Sequence, residues 1–277
     1  MIEFKWNTEN MSPNQYKMAD YIKKNLRAVL LSTEQEIANA LNISIASVSR
    51  FWRSVGFKNF KDFKAYARTQ LEPSPAGKME NIINQVEEQE LQYHSLKVSI
   101  NHLQKTMEHF SKEAFQQAVH VITGSKKTYI YGQGPSTGLC ELFYFRLARA
   151  GLELRRLVKG GSELLEDLLH LTKDDVVVIF GFGRILPEEK VIFDYSEEIG
   201  YKTIVITDQL VSDFSDRADI CLFASRGEMW EFHSMVAPTF MIENLIIAIG
   251  MHNKDENLER LEKLSDLRKK YNHDLPR

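Results

Sequence analysis

The apolar positions of this chain keep a helical period up to Gly124 and a strand period in between helices after it. From Asn14 to Leu31, the residues Met18, Tyr21, Ile22, Leu26, Val29 and Leu30 form one stripe. Two shorter helical patterns run to Gln70. The stretch LEPSPAGK (71–78), with two prolines and a glycine among small residues, reads as a linker. Met79–Phe110 is helical again, through Ile82, Ile83, Val86, Leu91, Leu96, Ile100, Leu103 and Met107. Ser111 and Gly124 then bound one more helix, as N-cap and C-terminal glycine. Beyond Gly124, TYIYG (128–132), LELRRLV (152–158), VVVIF (176–180), TIVIT (203–207) and DICLF (219–223) read as strands. Helical patterns at 135–150, 162–171 and 187–199 separate most of them, and helices at 232–251 and 255–271 close the chain. Continuous apolar strands alternating with helices predict a parallel sheet covered on both faces. The expected fold is an all-α domain over 1–70, the linker 71–78, and an α/β three-layer sandwich over 79–277.

Charge sharpens that division. The net charge is −3, yet residues 1–70 hold eleven Lys and Arg against six Asp and Glu, which makes this part +5 and leaves −8 for the rest. A basic module on an acidic body fits a nucleic-acid binder with a separate second domain. Cys140 and Cys221 sit in apolar stretches far apart, so neither a disulfide framework nor a metal site is expected. His94, His102, His109, His120, His170, His252 and His273 show no metal-ligand spacing. No cofactor is expected. The N-terminal stretch has no apolar signal core and no run is long enough to span a bilayer, so the expected location is the cytoplasm, with no membrane partner.

Residues 33–57, TEQEIANALNISIASVSRFWRSVGF, carry the first motif. Thr33 and Glu36 make a capping box for a helix that buries Ile37, Ala38 and Leu41. Asn42-Ile43-Ser44 breaks it, and Ser44 caps a second helix that turns Val48, Phe51, Trp52 and Val55 inward. A helix of about eight residues, a three-residue turn and a second helix is helix-turn-helix geometry. The second helix then offers Ser44, Ile45, Ala46, Ser47, Ser49 and Arg50 to a major groove. Short hydroxyls contact either base type, and arginine takes guanine or phosphate. Lys58, Lys61, Lys64 and Arg68, interleaved with Phe57, Phe60 and Phe63, suit phosphate contact. The alternative for this module is contact with another protein. The stretch IANALNIS through SVSRFWRSVGFKNFKDFK resembles the N-terminal domain of the RpiR/MurR family of bacterial transcriptional regulators, over about residues 10–70.

Two glycine loops carry the second motif. YIYGQGPSTG (129–138) is strand, turn and helix with Pro135 expected at the first helical position. Free N–H groups there, with Gly134 and the hydroxyls of Ser136 and Thr137, make an anion cradle. A dinucleotide site is the rival reading, because Glu153 lies about twenty residues on. IFGFGRILPE (179–188) is again strand, glycine loop and helix, with Gly183 and Arg184 as candidates for an anionic group, Arg184 being otherwise a surface arginine. Glu228, Glu231 and His233 cluster before the helix at 232, where His233 either contacts a ligand or caps that helix.

The order of these elements, closed by EFHSMVAPTFMIENLI, resembles the SIS (sugar isomerase) domain that follows the helix-turn-helix in the same family, over about residues 110–250. The resemblance implies a flavodoxin-like sandwich, a phosphosugar or related small anionic metabolite as effector, and a homodimer or tetramer on a palindromic double-stranded DNA operator. One departure stands out. The family's second loop reads S-x-S-G-x-[ST], and here Phe and Gly replace both serines with Arg184 and Ile185 following. Either Arg184 substitutes by charge, or the ligand is another anion, or the domain only dimerises. A sugar-phosphate isomerase using Glu228, Glu231 or His233 is the enzymatic alternative, and a scaffold that binds no DNA is another. The basic module and the altered loop favour a regulator without catalytic activity.

Overall fold

A computed structural model describes residues 4, 6, 11–71, 75–83, 86, 90–210, 213–228 and 231–275. Contacts group the chain into two units, residues 1–85 with 228–232, and residues 86–227 with 233–277.

In the first unit, α1 (Pro13–Leu31), α2 (Glu34–Leu41), α3 (Ile45–Ser54) and α4 (Phe60–Leu71) enclose one aromatic-rich core. Each start is specified locally. Ser12 and Gln15 form a capping box on α1, as Thr33 and Glu36 do on α2, and Ser44 Oγ accepts from the Ser47 N–H on α3. Between α2 and α3 the chain reverses through Asn42, the one non-glycine residue at positive φ among those described (51°), a conformation that asparagine tolerates. Trp52 is fully buried against the rings of Phe60 and Phe63, each stacked with it at 4.7 Å. The stretch expected to be a linker contains the start of a helix, α5 (Pro75–Ile83), because Pro75 sits in a first turn where its missing N–H costs nothing. Glu72, Pro73 and Ser74 lie outside the described residues.

The second unit begins with α6 (Leu91–Glu108), so the single helix expected over 79–110 is two. The acidic run from Glu87 to Glu90 interrupts the apolar repeat there, although 87–89 lie outside the described residues. After α7 (Lys112–Gly124) come β1 (Thr128–Tyr131), α8 (Ser136–Leu147), β2 (Leu154–Leu157), α9 (Leu164–Leu168), β3 (Val176–Phe180), α10 (Pro187–Ile199), β4 (Lys202–Thr207), α11 (Asp213–Arg217), β5 (Ile220–Phe223), α12 (Val236–His252) and α13 (Lys254–Lys270). The five strands are all parallel in the order β2-β1-β3-β4-β5. Val176–Phe180 is buried along its whole length at the sheet's centre, as its unbroken apolar run requires. Apolar clusters cover both faces, one under α7, α8 and α12 and the other under α9, α10 and α11, so the three layers expected from the sequence are present. The edge strand β2 is short and exposes Arg155 and Arg156. In this strand order the chain turns opposite ways after β1 and β3, so a crevice opens above their carboxyl ends.

Candidate functional site

On the helix-turn-helix, α3 divides cleanly. Val48, Phe51 and Trp52 are buried, while Ser44, Ile45, Ala46, Ser49, Arg50 and Arg53 are exposed and Ser47 is half-buried. Ser44 and Ser47 share a hydrogen bond between their hydroxyls at 2.9 Å. Ser49 is less free than the sequence suggests. Its hydroxyl lies 3.2 Å from both oxygens of Glu34, the first residue of α2. Glu34 Oε1 also accepts from Trp52 Nε1 at 2.9 Å, so this carboxylate fixes α2 to α3 at the edge of the exposed face. Among the expected phosphate contacts, Lys58 is exposed and Lys61 half-buried. Lys64 is committed inside the unit: Nζ donates to the Ser32 carbonyl at 2.6 Å and lies 4.4 Å from the centre of the Phe60 ring. The Arg68 side chain lies outside the described part.

In the second unit β1 and β3 are neighbours, so the two glycine loops sit side by side at the crevice. Gly132 has no space for a side chain. A Cβ there would lie 2.9 Å from Cys140 Sγ and from Ser136 Cβ, which brings the first loop's backbone hard against α8. That helix starts at Ser136, with Pro135 as its N-cap rather than its first residue. Two of the N–H groups expected to be open are engaged, because Ser136 and Thr137 donate to the carbonyls of Gln133 and Gly134 at 3.1 Å. Ser136 is buried, whereas Gly134 and Thr137 are exposed and line a cavity of about 260 Å³ with Gln133, Arg156 and Lys159. The cations of that cavity are already paired, Lys159 with Glu166 and Asp167 at 2.9 and 3.2 Å and Arg156 with Glu141. The dinucleotide reading loses its acidic residue. Glu153 precedes β2, at the end of the strand away from the crevice, and lies 3.7 Å from Lys127.

The second loop is held by side chains from four places. Gly181 faces the Phe214 ring so closely that a Cβ would fall 2.7 Å from it. Asp208, just after β4, accepts from the Gly183 N–H at 3.0 Å. Arg226, just after β5, lies over the Phe182 ring at 4.3 Å, and its Nη2 is 2.7 Å from His233 Nδ1. A guanidinium only donates, so His233 accepts here through Nδ1. His233 therefore turns to Arg226, and the helix it was expected to cap begins at Val236. Glu189 is buried at the start of α10 and accepts from the Leu186 N–H at 2.7 Å; burial raises its carboxyl to about 7. Its neighbour Glu188 accepts from its own backbone N–H, from the Gly161 N–H at 3.2 Å and from the Gln133 side chain, which hold it below the usual carboxylate range. Arg184 is exposed on this loop.

The structure thus brings Gly134 and Thr137 into one cavity and sets Gly183, Arg184 and His233 around the neighbouring loop. Sequence reasoning missed Asp208, Arg226, Glu188, Glu189 and Glu34. Only the parallel order of the strands signalled that residues following β4 and β5 belong to the same rim.

Comparison with known proteins bears on both parts. The helix-turn-helix domain of the rpiR family matches residues 3–74, and the SIS domain matches residues 121–257. The chain belongs to the RpiR family, with a helix-turn-helix ahead of a SIS domain. It is 22% identical over 258 residues to the bifunctional protein glk of Burkholderia thailandensis, covering 91% of this chain but spanning only 40% of that relative's length. An uncharacterized HTH-type transcriptional regulator of Caldanaerobacter subterraneus subsp. tengcongensis is 22% identical over 264 residues, which is 94% of this chain and 93% of the relative. The solved structure of the Vibrio vulnificus NanR protein complexed with ManNAc-6P shares the fold with a TM-score of 0.63 at 18% identity, covering 95% of each chain. No helix among the described residues is long and apolar enough to cross a membrane.

Proposed function

We propose that this protein is a cytoplasmic, homo-oligomeric regulator that binds a palindromic DNA operator and whose affinity for it is modulated by a small anionic metabolite of the sugar-derivative class. The observation that carries the reading is one chain holding a helix-turn-helix with an exposed hydroxyl-and-arginine face and a parallel sheet with two adjoining glycine loops. Ser44, Ala46, Ser47 and Arg50 read bases or grip phosphate. Ser49, held by Glu34, helps set the helix's pose, while Lys58 and Lys61 fix register on the backbone. The effector lies above β1 and β3, with Gly134, Thr137 and the second loop around it. It acts only in so far as it binds one arrangement of the protein better than another.

The testing experiment combines a thermal-shift screen against sugar phosphates, amino-sugar phosphates, inositols and organic acids with a DNA mobility shift. The effector is expected to raise the melting temperature by mass action on the folded state and also to change operator affinity in the mobility shift. Arg50→Ala is expected to weaken operator binding by about tenfold to a hundredfold, the worth of one bidentate base contact. Unchanged operator affinity in that variant removes Arg50 from the interface.

One observation favours the isomerase reading. Glu189, with a carboxyl near 7 beside the second loop, is matched to moving protons at neutral pH. Against it, the carboxylate already caps α10 through the Leu186 N–H. Turnover of sugar phosphates that vanishes in Glu189→Gln would move the assignment to an enzyme.

A further inference from the structure

The sequence offers Arg184 as the crevice's cation, and the structure offers a different one. Arg226 is 8% exposed, at the carboxyl end of β5. Burying a guanidinium costs several kcal/mol unless its surroundings replace water. Phe182 covers one face of it and His233 takes one Nη. Its countercharge is incomplete. Asp208 Oδ2 lies 3.5 Å from Nε, beyond good hydrogen-bond length, while Oδ1 is committed to the Gly183 N–H. Nε is left buried with no hydrogen-bond partner. The shell is itself rigid. The adjacent Ser225 is tied to α6, its hydroxyl 3.2 Å from His102 Nδ1 and its N–H donating to Thr106 Oγ1 at 3.0 Å. The Arg226 carbonyl accepts from the Ser234 N–H at 3.0 Å. A buried, face-covered guanidinium whose Nε side is closed by Asp208 at 3.5 Å, without a full countercharge, is left to take an oxyanion at its Nη end, in the fork geometry that arginine provides. Arg184, exposed on the loop, pays its hydration to any ligand it grips and lacks such a shell.

We infer that Arg226, rather than Arg184, is the cation that anchors the effector's acidic group, with a carboxylate or a phosphate monoester as the ligand chemistry. The inference rests on the reading of the crevice as a site for a small anion. In it the second loop works without serine hydroxyls: Phe182 serves as the platform for Arg226, and the Gly183 N–H and Asp208 hold that platform in place.

The test is calorimetric titration of the full-length protein with inorganic phosphate, glucose 6-phosphate and gluconate, on wild type, Arg226→Lys, Arg226→Gln and Arg184→Gln. Circular dichroism confirms that each variant is folded. Wild type is expected to bind at least one of the three, and preference between glucose 6-phosphate and gluconate assigns phosphate or carboxylate. Arg226→Gln is expected to weaken that binding by about tenfold or more and Arg184→Gln by less than about threefold, the spread between a desolvated and an exposed charge. Should Arg226→Gln not fold, Arg226→Lys carries the test, because it keeps the charge and loses the fork; weakening of about tenfold is expected. Binding in the Arg226 variants equal to wild type, or lost only in Arg184→Gln, overturns the assignment to Arg226 while leaving the anion site standing. No binding of any probe to wild type overturns both.

Discussion

The exposed face of α3 and the rim of the crevice carry their chemistry in opposite ways. On α3 every polar group lies within ten consecutive residues, stands in water and is ordered by one cap and one neighbouring carboxylate. At the crevice the groups come from segments far apart in the chain, and the decisive ones are withdrawn from water: Glu189 and Arg226 are buried and the Asp208 side chain is 9% exposed, where an ionised group needs a partner. A surface of the first kind is stiffened by the core beneath it and changes specificity cheaply, residue by residue. A surface of the second kind is a network, where one substitution alters the setting of several others.

That contrast can be tested from its largest consequence downward. Trp52→Ala removes the centre of the aromatic stack under α3 and strips Glu34 of a donor; a loss of about 3–5 kcal/mol is expected for the first unit, read by chemical denaturation. If the loss is under about 1 kcal/mol, the stiffness of the recognition surface comes from its caps and not from this core. At the crevice, Glu189 has a folded-state carboxyl raised from 4.5 to about 7, so its favourable contribution is fully present below 4.5 and disappears as pH rises through 7. Melting temperatures measured from pH 4.5 to 8 are expected to fall across that window in wild type and to stay flatter in Glu189→Gln, a difference of about 2–3 kcal/mol at the alkaline end. Parallel profiles would show that Glu189 stays ionised. Gly132→Ala forces a Cβ into Cys140 and Ser136. Overpacking of this sort costs about 1–3 kcal/mol and is expected to shift the first loop, weakening effector response more than operator binding. The smallest effect belongs to Ser49→Ala. Its hydroxyl is one of two donors to a half-exposed Glu34, so stability changes by less than about 1 kcal/mol, and any larger loss of operator affinity assigns Ser49 directly to DNA.

How far each surface could be read in advance follows from the same contrast. The helix-turn-helix was legible because caps, turn and core positions lie within hydrogen-bonding or one-turn distance along the chain. Thr33 with Glu36, and Ser44 at the second cap, fall where the sequence puts them. The sheet was legible too, since VVVIF and TIVIT have no helical alternative of comparable apolar content, and β3 matches its expected limits. What could not be read was pairing across long separations. Asp208 meets Gly183 and Arg226 meets Phe182 only because parallel order sets β3, β4 and β5 side by side. Single residues without periodicity leave no trace in a pattern. Lys64 shows the same limit from the other side: its spacing among phenylalanines suggested phosphate contact, and its reach to the Ser32 carbonyl, a partner 32 residues back, left no mark in that spacing.

The exposed arginines of β2 also bear on how the sheet meets other chains. A sheet's outer strand offers unpaired backbone groups to any other extended chain, and in this protein β2 is such a strand, four residues long. Arg155 places a positive charge on its short, open flank, while Arg156 is paired with Glu141 and covers the Tyr144 ring at 4.9 Å. Copies approaching edge to edge would set like charges against each other, so strand-on-strand association at this edge is disfavoured.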